Sequence, residues 1–330
     1  MEVPSLLDVA TAATELNLGH SMHDDRIILP WPDHRSIAYF GTESAEHLVI
    51  LSIMRHRLEF SQINEAARLI TMWNEKRIGP TAFLQITDDA AVILKFRTSL
   101  PIEAGVTQEQ LKAFVTTASE TAVLAVQYFL AAFPDLAYHG SEAEMVRQDE
   151  QTLSDKLPGK VAEKPEIPDD LPDDHDPVED AMDADDETPY PVTLERVRDA
   201  LRTLGTPRHN LNEEWLMTAI NDVVYSFFID NGPTLLARGY WLPSLDPRKD
   251  FMRLFLLCNE WNESATTTKA FCHTDKDGLQ VHVEYTVPIS HGLSDSQLAH
   301  AVAASVQTIL NAIDSISTNA TGTSAVNWPD

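Results

Sequence analysis

Apolar residues first recur at helical spacing just after Ser5. Leu6, Leu7, Val9, Ala10, Ala13 and Leu16 predict an opening helix with Ser5 as its cap. Three β-like runs follow over 26–29, 36–40 and 48–54, separated by turns at Pro30, Pro32 and Gly41. Ile63, Ala66, Ala67, Ile70 and Trp73 then lie on one face of a second helix. A hairpin over 81–86 and 92–97 comes next. After it, a long stripe runs Leu111, Phe114, Val115, Ala118, Ala122, Ala125, Val126 and Phe129. Thr107 and Gln110 fit a capping box, in which hydroxyl and side-chain amide satisfy free N–H groups reciprocally.

The same order of elements recurs. Thr193 precedes Leu194, Val197, Ala200, Leu201 and Leu204, with Gly205 as the stop. β-like runs cover 215–217, 223–229 and 235–242, with a turn at Asn231-Gly232-Pro233. Phe251, Leu254, Phe255, Cys258 and Trp261 form the second stripe. The hairpin covers 269–274 and 279–286, turning at Asp277-Gly278. Ser294 and Gln297 repeat the capping box before Leu298, Val302, Val306, Ile309, Leu310 and Ile313.

The register between the halves is constant. Trp73-Asn74-Glu75 returns 188 positions later as Trp261-Asn262-Glu263, and Ala82-Phe83 as Ala270-Phe271. Beyond the hairpin turn the offset is 187: Pro101-Ile102, Gly105, Gln110 and Leu111 match Pro288-Ile289, Gly292, Gln297 and Leu298. The chain therefore reads as α+β, two tandem copies of an α-β-β-β-α-β-β-α domain with antiparallel sheets.

Charge changes the picture between the copies. The chain has 330 residues, 51 acidic and 24 basic, for a formal charge of −27. Residues 1–138 hold 17 acids and 10 bases (−7), residues 191–330 hold 16 and 10 (−6), and residues 139–190 hold 18 and 4 (−14). The middle segment has few aliphatic residues to offset chain entropy, so it predicts a disordered acidic linker. The expected boundaries are a first domain over 1–138, a linker over 139–190, a second domain over 191–316 and a flexible tail over 317–330. An acidic chain is poorly suited to coat a phosphate backbone, which argues against direct nucleic-acid binding. No apolar run approaches the roughly 20 residues of a membrane span. MEVPSLLDVA lacks the basic start of a signal peptide, and two cysteines cannot build a disulfide framework, so a cytoplasmic location is expected.

A helix ending in Trp-Asn, an Ala-Phe strand, a hairpin, then Pro-Ile-x-x-Gly-[Val/Leu]-[Ser/Thr]-x-x-Gln-Leu into a long helix resembles the bacterial YbjN family. The resemblance covers about 3–136 and 191–316. It implies a fold similar to type III secretion chaperones and a role as a sensory-transduction regulator. Tandem copies joined by an acidic linker look like actinobacterial members. The family supplies no catalytic residues to carry over.

The residues themselves point the same way. No G-x-S-x-G, G-x-x-x-x-G-K-[ST], G-x-G-x-x-G or H-E-x-x-H occurs, so no catalytic residue and no cofactor is expected. His20, His23, Asp24 and Asp25 read as a polar loop rather than a metal site. Asp183, Asp185, Asp186 and Glu187 lack the EF-hand glycine and final glutamate, so no metal is expected there either. Cys258 and Cys272 replace Ile70 and Leu84 of the first copy and read as small hydrophobes. His282 and Glu284 stand where the first copy has Lys95 and Arg97, a swap that predicts a solvated sheet face. His291 and His300 replace alanines, so the architecture does not need them.

Trp73, Asn74, Trp261 and Asn262 are the candidate partner-binding residues. They have two readings: a helix end with Trp in the core and Asn as a left-handed C-cap, or a Trp-lined groove that accepts a partner. Two functions remain. One is a non-enzymatic, chaperone-like or regulatory module that binds a protein partner, with the duplication forming an intramolecular pseudo-dimer, or the chain forming a homodimer. The other is a small-molecule-responsive regulator or enzyme with a pocket in one copy, hinted at by His273, His282 and Glu284. A third idea, nucleic-acid mimicry by the acidic linker, is tested by deleting it.

Overall fold

The computed structural model describes residues 1–42, 46–154, 157–158, 188–206, 208–230, 233–276 and 278–328. The first copy runs α1 (Leu6–Glu15), β1 (Ser21–Met22), β2 (Ile27–Pro30), β3 (His34–Thr42), β4 (Glu46–Met54), β5 (Leu58–Glu59), α2 (Ile63–Lys76), β6 (Thr81–Ile86), β7 (Ala91–Pro101) and α3 (Gln108–Ala132). A further helix, α4 (Glu142–Gln151), follows. The second copy runs α5 (Leu194–Thr203), β8 (His209–Leu211), β9 (Trp215–Ile220), β10 (Val223–Ile229), β11 (Thr234–Trp241), α6 (Phe251–Ser264), β12 (Thr268–Asp275), β13 (Gly278–Pro288) and α7 (Asp295–Thr321). The duplicated order stands as read, with the short strands β1, β5 and β8 added.

Both sheets are antiparallel throughout. One is ordered β1-β2-β3-β4-β7-β6, with the short β5 pairing the end of β7 on the same side as β4; the other is β12-β13-β11-β10-β9-β8. All four helices that open or close a copy start at the expected caps. Ser5, Thr107 and Ser294 each sit in a capping box, and the Thr193 hydroxyl accepts from the Arg196 N–H.

The inner face of the first sheet buries Ile27, Ala38, Leu48, Ile50 and Leu100 against Val9 and Ala10 of α1 and Leu111, Phe114 and Val115 of α3. Each of the larger side chains removed from water contributes about 1.5–3 kcal/mol. A larger core crosses from copy to copy, joining Trp73, Phe96 and Phe129 with Phe255, Tyr285 and Ile309. The α3 helix is long and apolar enough, by composition, to cross a membrane, which the search for unbroken apolar runs missed. Here its apolar stripe is spent on the sheet instead.

Two expectations need correction. The acidic segment is not unfolded from residue 139. The Ser141–Glu144 capping box starts α4, and Arg55 holds Asp149 by two hydrogen bonds of 2.8 and 3.2 Å. Arg26 donates to the Thr152 carbonyl at 2.6 Å, and Leu157 joins Ile37, Tyr39, Val49, Leu51 and Phe83 on the outer sheet face. Composition missed this because most of the acidic residues come later. Residues 159–187, including Asp183, Asp185, Asp186 and Glu187, lie outside the described residues. Nor is 317–330 a free tail as far as Trp328. The α7 helix continues to Thr321, Gly322 closes it at φ 81°, Val326 is buried, and the Asn327 N–H donates to the Asn221 carbonyl at 2.9 Å.

Beside Arg55, His34 stacks on Trp31 with ring centroids 5.5 Å apart, and its Nε2 is buried without a hydrogen-bond partner. Burial, and then the Arg55 charge, push its pKa down to about 4. The neutral ring is therefore favoured in the fold while the unfolded chain protonates near 6.5. Stability contributed by neutral His34 is present above 6.5 and is lost as pH falls towards 4. Urea midpoints at pH 7.5 and 4.5 should fall further for the wild type than for His34→Asn, by about 2–3 kcal/mol.

Candidate functional site at the seam between the copies

The candidate residues lie where the two copies meet. Asn74 is inside α2 and Asn262 inside α6, both almost fully buried. Neither is a left-handed cap. Asn74 Nδ2 donates to the Ala82 carbonyl at 2.8 Å, and the Ala82 N–H donates back to Asn74 Oδ1 at 2.9 Å. Asn262 makes the same pair with Ala270, both at 2.7 Å. Each asparagine thus supplies the outer edge of β6 or β12 with the donor and acceptor that another strand would offer. Trp73 is buried and donates from Nε1 to the Pro80 carbonyl at 2.8 Å; Trp261 donates to Thr268 Oγ1 at 2.7 Å. The Trp-Asn pairs therefore hold helix to strand. Trp73 also borders a surface groove, of about 430 Å³, together with Arg77, Leu124 and Tyr128. Removing the Asn262 amide leaves a buried N–H and C=O unpaired, so Asn262→Ala should cost about 2–4 kcal/mol in urea unfolding.

The edge clamp also crosses the seam. Asn259 of α6 donates to the Leu84 carbonyl at 2.8 Å and accepts from the Leu84 N–H at 2.8 Å. Its counterpart in α2 is Thr71, whose buried hydroxyl has no partner. The β6 edge is thus paired alternately by its own helix at Ala82 and by the other copy's helix at Leu84.

The second contact joins the motif that precedes each last helix. Gly105 and Gly292 adopt φ 73° and 70°, a backbone region where glycine meets no Cβ penalty. A Cβ on Gly292 would sit 2.6 Å from the Tyr190 carbonyl, and Tyr190 forms a β-bridge to Leu293 just as Glu2 does to Val106. The same turns face each other. Gln110 Nε2 donates to the Gly292 carbonyl at 2.9 Å and to Gln297 Oε1 at 3.1 Å. Gln297 Nε2 donates to the Gly105 carbonyl at 2.8 Å and to Gln110 Oε1 at 3.0 Å. Each glutamine therefore caps its own helix with its oxygen and grips the other copy with its nitrogen. The capping box was legible in sequence; the second use was not.

Two cations cross in opposite directions. Arg97 of β7 donates to the carbonyls of Asn262, Ala265 and Thr268, the last at 2.6 Å. Lys269 of β12 donates to the carbonyls of Asn74, Arg77 and Ile78 at 2.9, 2.6 and 3.2 Å. Each positive charge meets the carbonyl end of the other copy's second helix, where the helix dipole is negative. Lys269 also pairs with Glu284 at 2.5 Å, and Glu284 pairs with Arg238. Burial pushes the Lys269 ammonium down, and Glu284 opposes that shift. The face holding Glu284 and His282 is therefore not solvated: both side chains are buried.

His273 and His282 come together, while Glu284, two residues along the strand, pairs with Lys269 and Arg238. His282 Nε2 lies 3.1 Å from both His273 Nε2 and Gln280 Oε1, and burial foremost pushes its pKa down to about 3. Cys258 and Cys272 are free and buried, and the Cys258 thiol is held above its usual range by its hydrogen bond to Cys272 and then by burial. Among the described residues no three His, Cys, Asp or Glu side chains converge as metal ligands. Among the described residues, His20 and His23 make local contacts, to the Leu18 carbonyl and to Ser21. His300 lies 3.8 Å from Glu103, both half exposed. The buried polar groups of the seam hold backbone and each other.

A family model described as "YbjN: Putative bacterial sensory transduction regulator" matches residues 6–131 and again 193–317. Among solved structures, one titled "Crystal structure of YbjN, a putative transcription regulator from E. coli" is similar at 22% identity and a TM-score of 0.34. The match covers 40% of this chain and 95% of that one. A search of curated proteins gave no match.

Proposed function

Since the chain belongs to the YbjN family through both of its halves, we propose that it is a non-enzymatic regulatory module that binds a protein partner in the cytoplasm, in a chaperone-like way. Its two copies act as one intramolecular pseudo-dimer. The observation that carries this reading is the reciprocal grip of Gln110 and Gln297, with the crossed caps of Arg97 and Lys269. Gln110, Gln297, Arg97 and Lys269 are engaged in holding the copies together, which supports this reading.

Partner contact then falls to the outer surfaces. The grooves beside α3 are the best placed. One, of about 590 Å³, is lined by Leu16, Leu18, Trp31, Val123 and Leu124; the other runs from Leu124 to Trp73. Leu124 stands exposed between them, whereas its counterpart in α7 is Asn311. Affinity capture from native lysate, with the intact chain and with Leu124→Asp, tests the proposal. A protein retained by the first and lost with the second supports it. A metabolite that raises Tm while no protein is retained favours a small-molecule-responsive regulator instead.

A further inference from the structure

The outer faces of the two sheets differ in what lies on them. On the first, Tyr39, Val49 and Leu51 are buried together with Leu157, and Arg55 and Arg26 hold the segment that leads to it. Strand pairing locates the same positions in the second sheet. Val49 pairs with Ser99 and Leu51 with Arg97; 187 residues on from Ser99 and Arg97, Thr286 pairs with Leu236 and Glu284 with Arg238. Tyr39 stands beside Val49 as Phe228 stands beside Leu236. Phe228 is only half-buried, however, and Val224, on the same face of β10, is 41% exposed. A groove of about 740 Å³ opens over Phe228 and Leu236. Glu195, Glu213, Glu214 and Asp230 line it, all exposed. Arg238 lines it too, but its guanidinium is paired with Glu284 and lies 6.0 Å from the Phe228 ring centre. The groove thus has an apolar floor and a carboxylate rim.

We propose that this face of the second copy docks a basic segment of a partner protein, which sets a bulky apolar side chain on Phe228 and Leu236 and lysines or arginines against the rim. The first copy shows the same arrangement with the charges reversed. Its face presents Arg26 and Arg55, and its cover starts with α4, which has four acids and one base. A face rimmed by carboxylates calls for a cover of the opposite sign. Residues 159–187 carry 13 acids and 2 bases, the wrong sign for this groove, and a second copy of a chain at −27 is repelled in the same way. Apolar contact on the floor supplies the affinity; the rim supplies orientation and a faster, salt-sensitive encounter. The surface is separate from the grooves beside α3, so it adds a second recognition chemistry to the partner binding proposed above.

The probe is fluorescein-labelled Lys-Lys-Leu-Phe-Lys-Lys, titrated with the full-length protein in a fluorescence anisotropy assay at physiological salt. The expected result is saturable binding of one peptide per chain. Glu213→Lys/Glu214→Lys alters two exposed side chains, so it should keep its Tm and weaken binding about tenfold or more. Phe228→Ser should weaken it as well, and so should replacing Leu-Phe in the probe by Ser-Ser. Leu124→Asp, which alters the α3 grooves, should leave it unchanged, so this proposal and the one above can fail separately. No binding, binding that ignores both groove variants, or tighter binding of Glu-Glu-Leu-Phe-Glu-Glu overturns the proposal. So does a concentration-dependent dimer that the double variant abolishes, because a second copy is then the occupant.

Discussion

Arg97→Ala is expected to lower the unfolding free energy by about 3–5 kcal/mol, read as a shift in the urea midpoint. Arg97 is almost fully buried and donates to three carbonyls of the other copy. Deleting its guanidinium leaves Asn262, Ala265 and Thr268 with acceptors that water does not reach without opening the seam. Arg97→Lys should recover part of the loss, because Lys269 caps three carbonyls in the reciprocal contact with a single ammonium. A cost below about 1 kcal/mol, typical of an exposed charge, would show that Arg97 is not buried in the seam in solution.

Glu284→Ala should be comparably severe, about 3–5 kcal/mol, for a different reason. Glu284 is the carboxylate between Lys269 and Arg238, and both it and Lys269 are buried. Without it, the Lys269 ammonium stays in a low-dielectric site with carbonyls but no counter-charge. Glu284→Gln keeps the shape and removes only the charge, so its share of the loss reports the electrostatic part. Raising the salt concentration should change these losses little, since a buried pair is screened far less than an exposed one.

Much of the fold was legible in sequence because its signals are local. Ser5, Thr107 and Ser294 announced helix starts, and the alternating runs around residue 278 announced a hairpin. The constant offset from Trp73 to Trp261 announced the duplication. The short strands β1, β5 and β8 were missed, as two- and three-residue strands carry no period. The site was less legible because its partners are far apart in the chain. Asn74 and Asn262 stood out as a repeated pair, yet a helix cap and an edge clamp look alike in sequence. Gln110 and Gln297 were read through one amide group only, the oxygen that caps. The exchange of Lys95 and Arg97 for His282 and Glu284 looked like drift on a wet face; with Lys269 and the other copy in place, it is a rearranged set of buried charges. The copy-to-copy comparison exposed the exchange but not its burial, because Lys269 and Arg238, which pair with Glu284, stand on other strands.

The central claim is that the two copies grip each other, and the Leu84 amide tests it most directly by hydrogen exchange. The Leu84 N–H faces away from β7 on an edge strand, and Asn259 of the other copy is its acceptor. Protection comparable to the core strands is predicted in the intact protein, falling by orders of magnitude in Asn259→Ala while the inward-facing amides of β6 keep theirs. A Leu84 amide that already exchanges at the rate of an open strand edge in the intact protein would contradict the account.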